Sequence, residues 1–284
     1  KELPTPEQSA EFKSELTARA NVPSGLENVF ASLPKNGHPM DWLSVGIHTL
    51  GMYDTTGNWM DDALNLVARM PRLMGLIYRY REGREANIPN DDTSKSLVER
   101  FVDTLDLPNV NKEKMTRVVS TYLLLHMDHG GGNLSTFTGK SIASGKATVY
   151  SAIAGAMNAL SGPLHGRANQ ACLEFIQRIG TSDPDEIEQF VRAELAAKRP
   201  IYGFGHGVLR AEDPRAKLLI ELGSEVCPDD EYYKIAKALR EVVPPILKEH
   251  PKISNPYPNV DLASGSLLHA IGFRKPNYYT TFFG

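Results

Sequence analysis

The chain has 284 residues, 41% of them hydrophobic and 23% charged, enough apolar material for one large domain or two modest ones and too much for a disordered chain. Its 31 basic and 34 acidic residues nearly cancel, so a net charge of -3 argues against a nucleic-acid footprint or a basic membrane-binding face. Cys172 and Cys227 cannot build a disulfide framework, which suits a reducing compartment, and no apolar run is long enough to span a bilayer.

The start, KELPTPEQ, carries neither a methionine nor a signal-peptide pattern, and part of the natural chain is expected to precede it. Thr5-Pro6-Glu7-Gln8 reads as an N-cap, a proline at the first helical position and a capping-box glutamine. Further on, Met115, Val118, Val119, Tyr122 and Leu123 follow the spacing of one buried helix stripe. In 148–160, Ala152, Gly155, Ala156 and Ala159 share a face, which fits either the close approach of another helix, in a tight pair or a subunit interface, or an ordinary alanine-rich core helix. Asp183-Pro184 and Asp213-Pro214 each open a further helix. Loops rich in Pro, Gly and Asn fall near 83–92, 106–112, 199–207 and 251–260. Strand signals amount to Ile201-Tyr202, a minor hairpin at most, so the architecture is expected to be all-α.

Four segments set titratable groups among glycines or prolines, where backbone and ligand can approach closely. In His126-Met127-Asp128-His129-Gly130-Gly131-Gly132-Asn133 the two histidines lack a third metal ligand of suitable type; His126 reads as a satisfied core residue and His129 and Asn133 as the ligand side. The second is Gly162-Pro163-Leu164-His165-Gly166-Arg167-Ala168-Asn169-Gln170. In the third, Gly203-Phe204-Gly205-His206-Gly207 is followed by Arg210 and Arg215, whose guanidinium forks suit carboxylate or phosphate. The fourth, Asn255-Pro256-Tyr257-Pro258-Asn259-Val260-Asp261, ends on a carboxylate that is either a helix cap or a functional acid.

Taken together, HMDHGGGN, GPLHGRANQ, GFGHGVLRAEDPR and NPYPNVD resemble the citrate synthase family, in its order and spacing, and the resemblance runs from LPTPEQ to NYYTTFFG. It implies a two-domain helical fold: a large domain at 1–166, continued by 276–284, and a small one at 167–275, with the active site in the cleft between them. It implies condensation of acetyl-CoA with oxaloacetate and water. Asp261 would take the methyl proton, His165 would stabilise the enolate oxygen, and His206 would polarise the ketone. His129 and Arg215, with His206, would bind oxaloacetate. Leu164, Ile201, Gly203, Arg210 and Asn259 would face coenzyme A, while Ser135 would orient His165 and Asn133 would support its loop. No metal or organic cofactor is implied, coenzyme A being a substrate. A homodimer is implied, with no nucleic acid or membrane partner, in the cytoplasm of a bacterium or archaeon or in the mitochondrial matrix of a eukaryote.

Two departures from the family stand at Gly130, often acidic, and at Ala263-Ser264-Gly265, often His-Ser-Gly. The family also extends beyond FFG into a helix bearing an arginine that grips oxaloacetate, so the natural chain is expected to continue past Gly284. Three alternatives compete. 2-Methylcitrate synthase, using propionyl-CoA, differs by one methylene, worth only about 1–3 kcal/mol of discrimination. Citryl-CoA cleavage fits GPLHGRANQ less well, and a truncated, non-catalytic fragment is the third.

Overall fold

A computed structural model describes residues 3–84, 92–127 and 131–284. Among them all regular structure is helical, apart from one antiparallel bridge between Phe204 and Pro258. That bridge is all that comes of the hairpin expected near 201. The helix starts follow the sequence grammar. Thr5 and Gln8 form a reciprocal capping box, Asp183 accepts from the backbone of Asp185 and Glu186, and Asp213 accepts from that of Arg215.

The chain divides into two compact units, neither continuous in sequence. Unit one comprises 1–108 and 130–162 with Gly284, and unit two comprises 109–129 and 163–283.

Unit one holds α1 (Pro6–Ala18), α2 (Gly25–Ser32), α3 (Pro39–Asp54), α4 (Trp59–Arg81), α5 (Leu97–Leu105), α7 (Leu134–Ser144) and α8 (Val149–Leu160). Its core is built on α3 and α4, with Leu43, Ile47, Leu50, Leu73, Leu76 and Ile77 almost free of solvent. The small-residue face of α8 receives α7. A Cβ on Gly155 would collide with Ile142, and one on Gly139 would stand 3.3 Å from the Ala152 carbonyl and the Ala156 Cβ. The face thus serves the close approach of another helix, within the chain, rather than ordinary core packing alone.

Unit two holds α6 (Lys112–His126), α9 (Ala168–Ile179), α10 (Pro184–Ala196), α11 (Pro214–Val226), α12 (Glu231–Lys248) and α13 (Asp261–Ala270). A 3-10 turn, Pro276–Tyr278, and α14 (Tyr279–Phe283) complete it. Every residue of α13 from Leu262 to Leu268 is buried, and α6, α9, α11 and α12 all pack on it. A helix apolar all round belongs at the centre of a unit. Met115, Val118, Val119 and Tyr122 of α6 are buried as the stripe predicts, with Leu123 at its half-exposed margin.

The sequence-based division placed 109–129 and 276–284 with the large domain, whereas both segments, up to Phe283, pack in unit two. The buried stripe of α6 meets α11 and α13, and the Thr280 hydroxyl donates to the Gly166 carbonyl at 3.1 Å. The expected break at 166/167 lies close to the passage between units at 162/163. No helix of the described residues is long and apolar enough to cross a membrane.

Candidate active site

Two irregular segments of unit two, 199–213 and 251–260, are laced together by their backbones. Gly205 N donates to the Tyr257 carbonyl at 2.9 Å, Asn259 N to that of Gly203 at 2.9 Å, and Asp213 N to that of Pro258 at 3.1 Å. Side chains add to this, with Asn255 Nδ2 donating to the Leu209 carbonyl at 2.8 Å and Asn259 Nδ2 to that of Gly205 at 2.9 Å. Gly203 sits at φ +84, and a Cβ there would stand 3.1 Å from Leu262 Cα and 2.9 Å from Cys172 Sγ, so only glycine lets this loop lie against α9 and α13. At the loop's root, Arg199 grips the buried Glu194 through Nε at 3.0 Å and Nη2 at 2.6 Å.

This frame fixes the state of His206. Its Nδ1 accepts from the backbone N–H groups of Val208 and Leu209, each at 3.0 Å. A ring nitrogen that accepts carries no proton, so neutral His206 holds its hydrogen on Nε2 and can donate there. Burial is the main cause of its lowered pKa; Asp213 opposes that effect, and Arg215 and Arg210 reinforce it.

Asp213 and Arg215 form the main ion pair of the site. Asp213 is 1% exposed and accepts from Arg215 Nε at 3.0 Å and Nη2 at 2.7 Å. Burial pushes the Asp213 carboxyl upward, but the side-chain and backbone hydrogen bonds from Arg215 together outweigh it and hold the group below the usual carboxylate range. The guanidinium commits two of its five N–H donors to this carboxylate and keeps three for another anion.

Asp261 behaves differently. It is the first residue of α13, and the cap at that helix start is Asn259, whose Oδ1 accepts from Asp261 N at 3.0 Å. The Asp261 carboxyl is surrounded by protein although the residue keeps partial solvent access, and no donor among the described residues reaches it. Burial raises its pKa to about 7, against the pull of Arg215 and with some help from Asp213. Such a carboxylate is a competent base near neutral pH.

His165 lies in the turn before α9, half-buried, its carbonyl accepting from Ala168 N at 3.0 Å; burial lowers its pKa. Leu164 beside it is 90% exposed. Ile201 and Gly203 belong to the laced loop, and Arg210 Nη1 donates to the carbonyls of His206, Gly207 and Leu209. Unit two thus brings together His206, Arg210, Asp213, Arg215, Asn259 and Asp261, and also carries His165. Asn133 and Ser135 belong to unit one. There Asn133 caps α7, accepting from Thr136 N at 2.9 Å and from the Ser135 hydroxyl at 2.7 Å. His126 ends α6 with Nδ1 bonded to the Tyr122 carbonyl at 2.7 Å, so it is satisfied as expected, but it is half-exposed and not part of the core. His129 and Gly130 lie outside the described residues. No group of three or more potential metal ligands occurs among the described residues.

Three buried polar residues of this region escaped the sequence reading as site residues: Tyr122, whose acidity feels the Asp261 charge, Asn169, which donates to the Tyr122 hydroxyl, and Ser264, one turn along α13 from Asp261. Tyr122 was legible only as part of an apolar stripe and Asn169 only as a motif letter. Ser264 carried a usable signal, since it stands three residues after Asp261 on the same helix face.

The whole chain, residues 1–284, matches the family model described as citrate synthase, C-terminal domain. It is 33% identical to the peroxisomal citrate synthase of Saccharomyces cerevisiae, over all of this chain and 65% of that protein. It is 34% identical to the mitochondrial 2-methylcitrate synthase of Yarrowia lipolytica, over all of this chain and 64% of that one. The chain therefore spans just under two thirds of these relatives. Among solved structures, the ternary complex of carboxymethyl coenzyme A and oxaloacetate with citrate synthase from Thermoplasma acidophilum superposes with a TM-score of 0.86. That match is 27% identical and covers 99% of this chain and 74% of the other.

Proposed function

Since this chain belongs to the citrate synthase family, we propose that the protein it represents condenses acetyl-CoA with oxaloacetate and water to give citrate and CoA. The observation that carries this reading is the pair of opposed protonation states: a buried Asp261 poised at about 7, and a neutral His206 with its hydrogen on Nε2. An acetyl methyl is a very weak carbon acid. Its ionisation needs a base that is basic at neutral pH together with donors for the enolate oxygen. Asp261 takes the methyl proton. Neutral His165 donates a hydrogen bond to the enolate oxygen as charge builds there. His206 Nε2–H polarises the oxaloacetate ketone and supplies its proton as the new carbon–carbon bond forms, after which citryl-CoA is hydrolysed.

Arg215, with three N–H groups still to give, takes one oxaloacetate carboxylate together with His129 and His206. Leu164, Ile201, Gly203 and Arg210 form the coenzyme A side. Asn259 has its side chain committed to Gly205 and Asp261, so its part is to shape that loop. A homodimer and an intracellular compartment complete the reading, in keeping with relatives named mitochondrial and peroxisomal. The Yarrowia relative, as similar to this chain as the citrate synthases are, favours propionyl-CoA as an alternative acyl donor.

Steady-state kinetics on the full-length protein, with oxaloacetate and either acetyl-CoA or propionyl-CoA, test the reaction and choose the donor. Asp261→Asn keeps the shape and removes the basic oxygen, so turnover should fall about 100-fold or more while oxaloacetate affinity holds. Undiminished turnover in that variant would refute the assignment.

A further inference from the structure

The segment that presents His206 is gripped by two asparagines of the facing loop. Gly207 is exposed and Val208 is 71% exposed, so little side-chain burial holds the backbone that supplies donors to Nδ1. In the facing loop Asn255 is buried, at 4% exposure. Its Oδ1 accepts from Tyr257 N at 2.9 Å, and its Nδ2 donates to the Leu209 carbonyl at 2.8 Å. Asn259 repeats the pattern four residues on: Oδ1 accepts from Asp261 N at 3.0 Å and Nδ2 donates to the Gly205 carbonyl at 2.9 Å. Each oxygen closes a turn on its own backbone two residues ahead, which fixes the amide and aims its nitrogen at the other loop. Pro256 and Pro258 stiffen the stretch between them. The asparagines thus hold the chain one residue before His206 and three residues after it.

We propose that Asn255 is a positioning residue for His206: by pinning the Leu209 carbonyl it keeps the Val208 and Leu209 N–H groups aimed at Nδ1, and so holds the ring in the tautomer that donates from Nε2. Its importance for turnover rests on the reading of His206 as the group that polarises the ketone. Leu209 N lies 3.0 Å from Nδ1 while the carbonyl of the same residue is bonded to Asn255. Leu209 therefore cannot turn its N–H away without straining a hydrogen bond to a buried side chain. Arg210 Nη1 also donates to this carbonyl at 2.8 Å, but it sits on the same exposed segment and moves with it. The other tautomer would set an Nδ1–H against two N–H donors, so the aim of those two groups decides where the ring proton lies. A neutral histidine with its hydrogen on Nδ1 has none at Nε2 to give to a ketone oxygen. The charged groups that act on His206 are Asp213, Arg215 and Arg210, and exchanging Asn255 for another neutral residue leaves all three in place.

The test is nitrogen-15 NMR of the His206 ring in the full-length protein, its signals identified by their loss in His206→Gln. At pH 8 the parent should show two well-separated ring nitrogens, one bare and one protonated. Asn255→Ser leaves a hydroxyl to accept from Tyr257 N but is too short to reach the Leu209 carbonyl. In that variant the two resonances should move towards each other as the Nδ1–H form becomes populated. The ring should also titrate about 0.5–1 pH unit higher, because a hydrogen bond to its neutral form has weakened. Turnover should fall about tenfold with KM for acetyl-CoA unchanged, since the loss lies in the aim of one donor. Ring nitrogens that stay in place in a folded Asn255→Ser variant overturn the proposal, whatever happens to turnover. Should that variant fail to fold, Asn255→Asp, of the same size and without the donor, decides by the same spectrum. If the resonances move but His206→Gln keeps turnover, the positioning role stands and the assignment of His206 to the ketone falls.

Discussion

Asp213 and Asp261 stand at the starts of α11 and α13, both close enough to Arg215 to feel its charge, yet one is held ionised and the other is pushed towards the neutral acid. Asp213 caps its own helix and takes a forked guanidinium, so each carboxylate oxygen has a donor. Asp261 has surrendered the capping job to Asn259 and receives only the distant field of Arg215. Two identical side chains thus become a structural anion and a candidate base according to who supplies the donors. Burial alone does not separate them, since it raises both.

The sharpest way to break this contrast is to remove the fork. Arg215→Met leaves a buried carboxylate unpaired and should cost about 3–5 kcal/mol in urea unfolding, with Asp213 now titrating above the usual range. The same residue supplies part of the proposed oxaloacetate site, so substrate protection against unfolding should weaken as well. Asp261→Asn should act in the opposite direction. The folded state raises the pKa of this group to about 7, so its ionisation costs stability as pH climbs from roughly 4 to 7. The variant should therefore be more stable than the parent at pH 8, by up to about 4 kcal/mol, and no more stable at pH 4. Asp213 has the reverse sign: its contribution is complete above the ordinary carboxylate range and is lost as pH falls below it. Asn259→Ala makes the smallest change. It removes the substitute cap of α13 and the tie to Gly205, about 1–2 kcal/mol by melting temperature, and lets the Asp261 carboxylate compete for its own helix start.

Much of this was legible in the sequence wherever the physics is local. Thr5 with Gln8, Asp183 and Asp213 announce helix starts because a cap involves residues two or three apart, and all three caps are present. The α6 stripe is legible for the same reason. Which partner covers that stripe is a long-range matter, so periodicity could not place α6 in unit two with α11 and α13. At the candidate site the titratable residues stood out by type and by their glycine-rich surroundings. The tautomer of His206, by contrast, depends on two backbone N–H groups aimed at one ring nitrogen, and the pKa of Asp261 on the donors it lacks. Neither is written in residue types. Tyr122 and Asn169 stayed hidden because a buried polar group looks like ordinary core or motif filler until its neighbours are known.

The position of α6 in the chain also bears on how the protein is made. Its buried stripe is covered by α11 and α13, and α13 closes at Ala270, about 140 residues after α6 ends at His126. At a synthesis rate of about 5–20 residues per second, this amphipathic helix waits roughly 7–30 s on the ribosome before its partners emerge. Meanwhile α7 and α8 appear and can already pack on each other and on α3. Unit one can therefore form around a gap in its own sequence, while Met115, Val118 and Val119 remain uncovered and open to chaperones that bind exposed apolar segments.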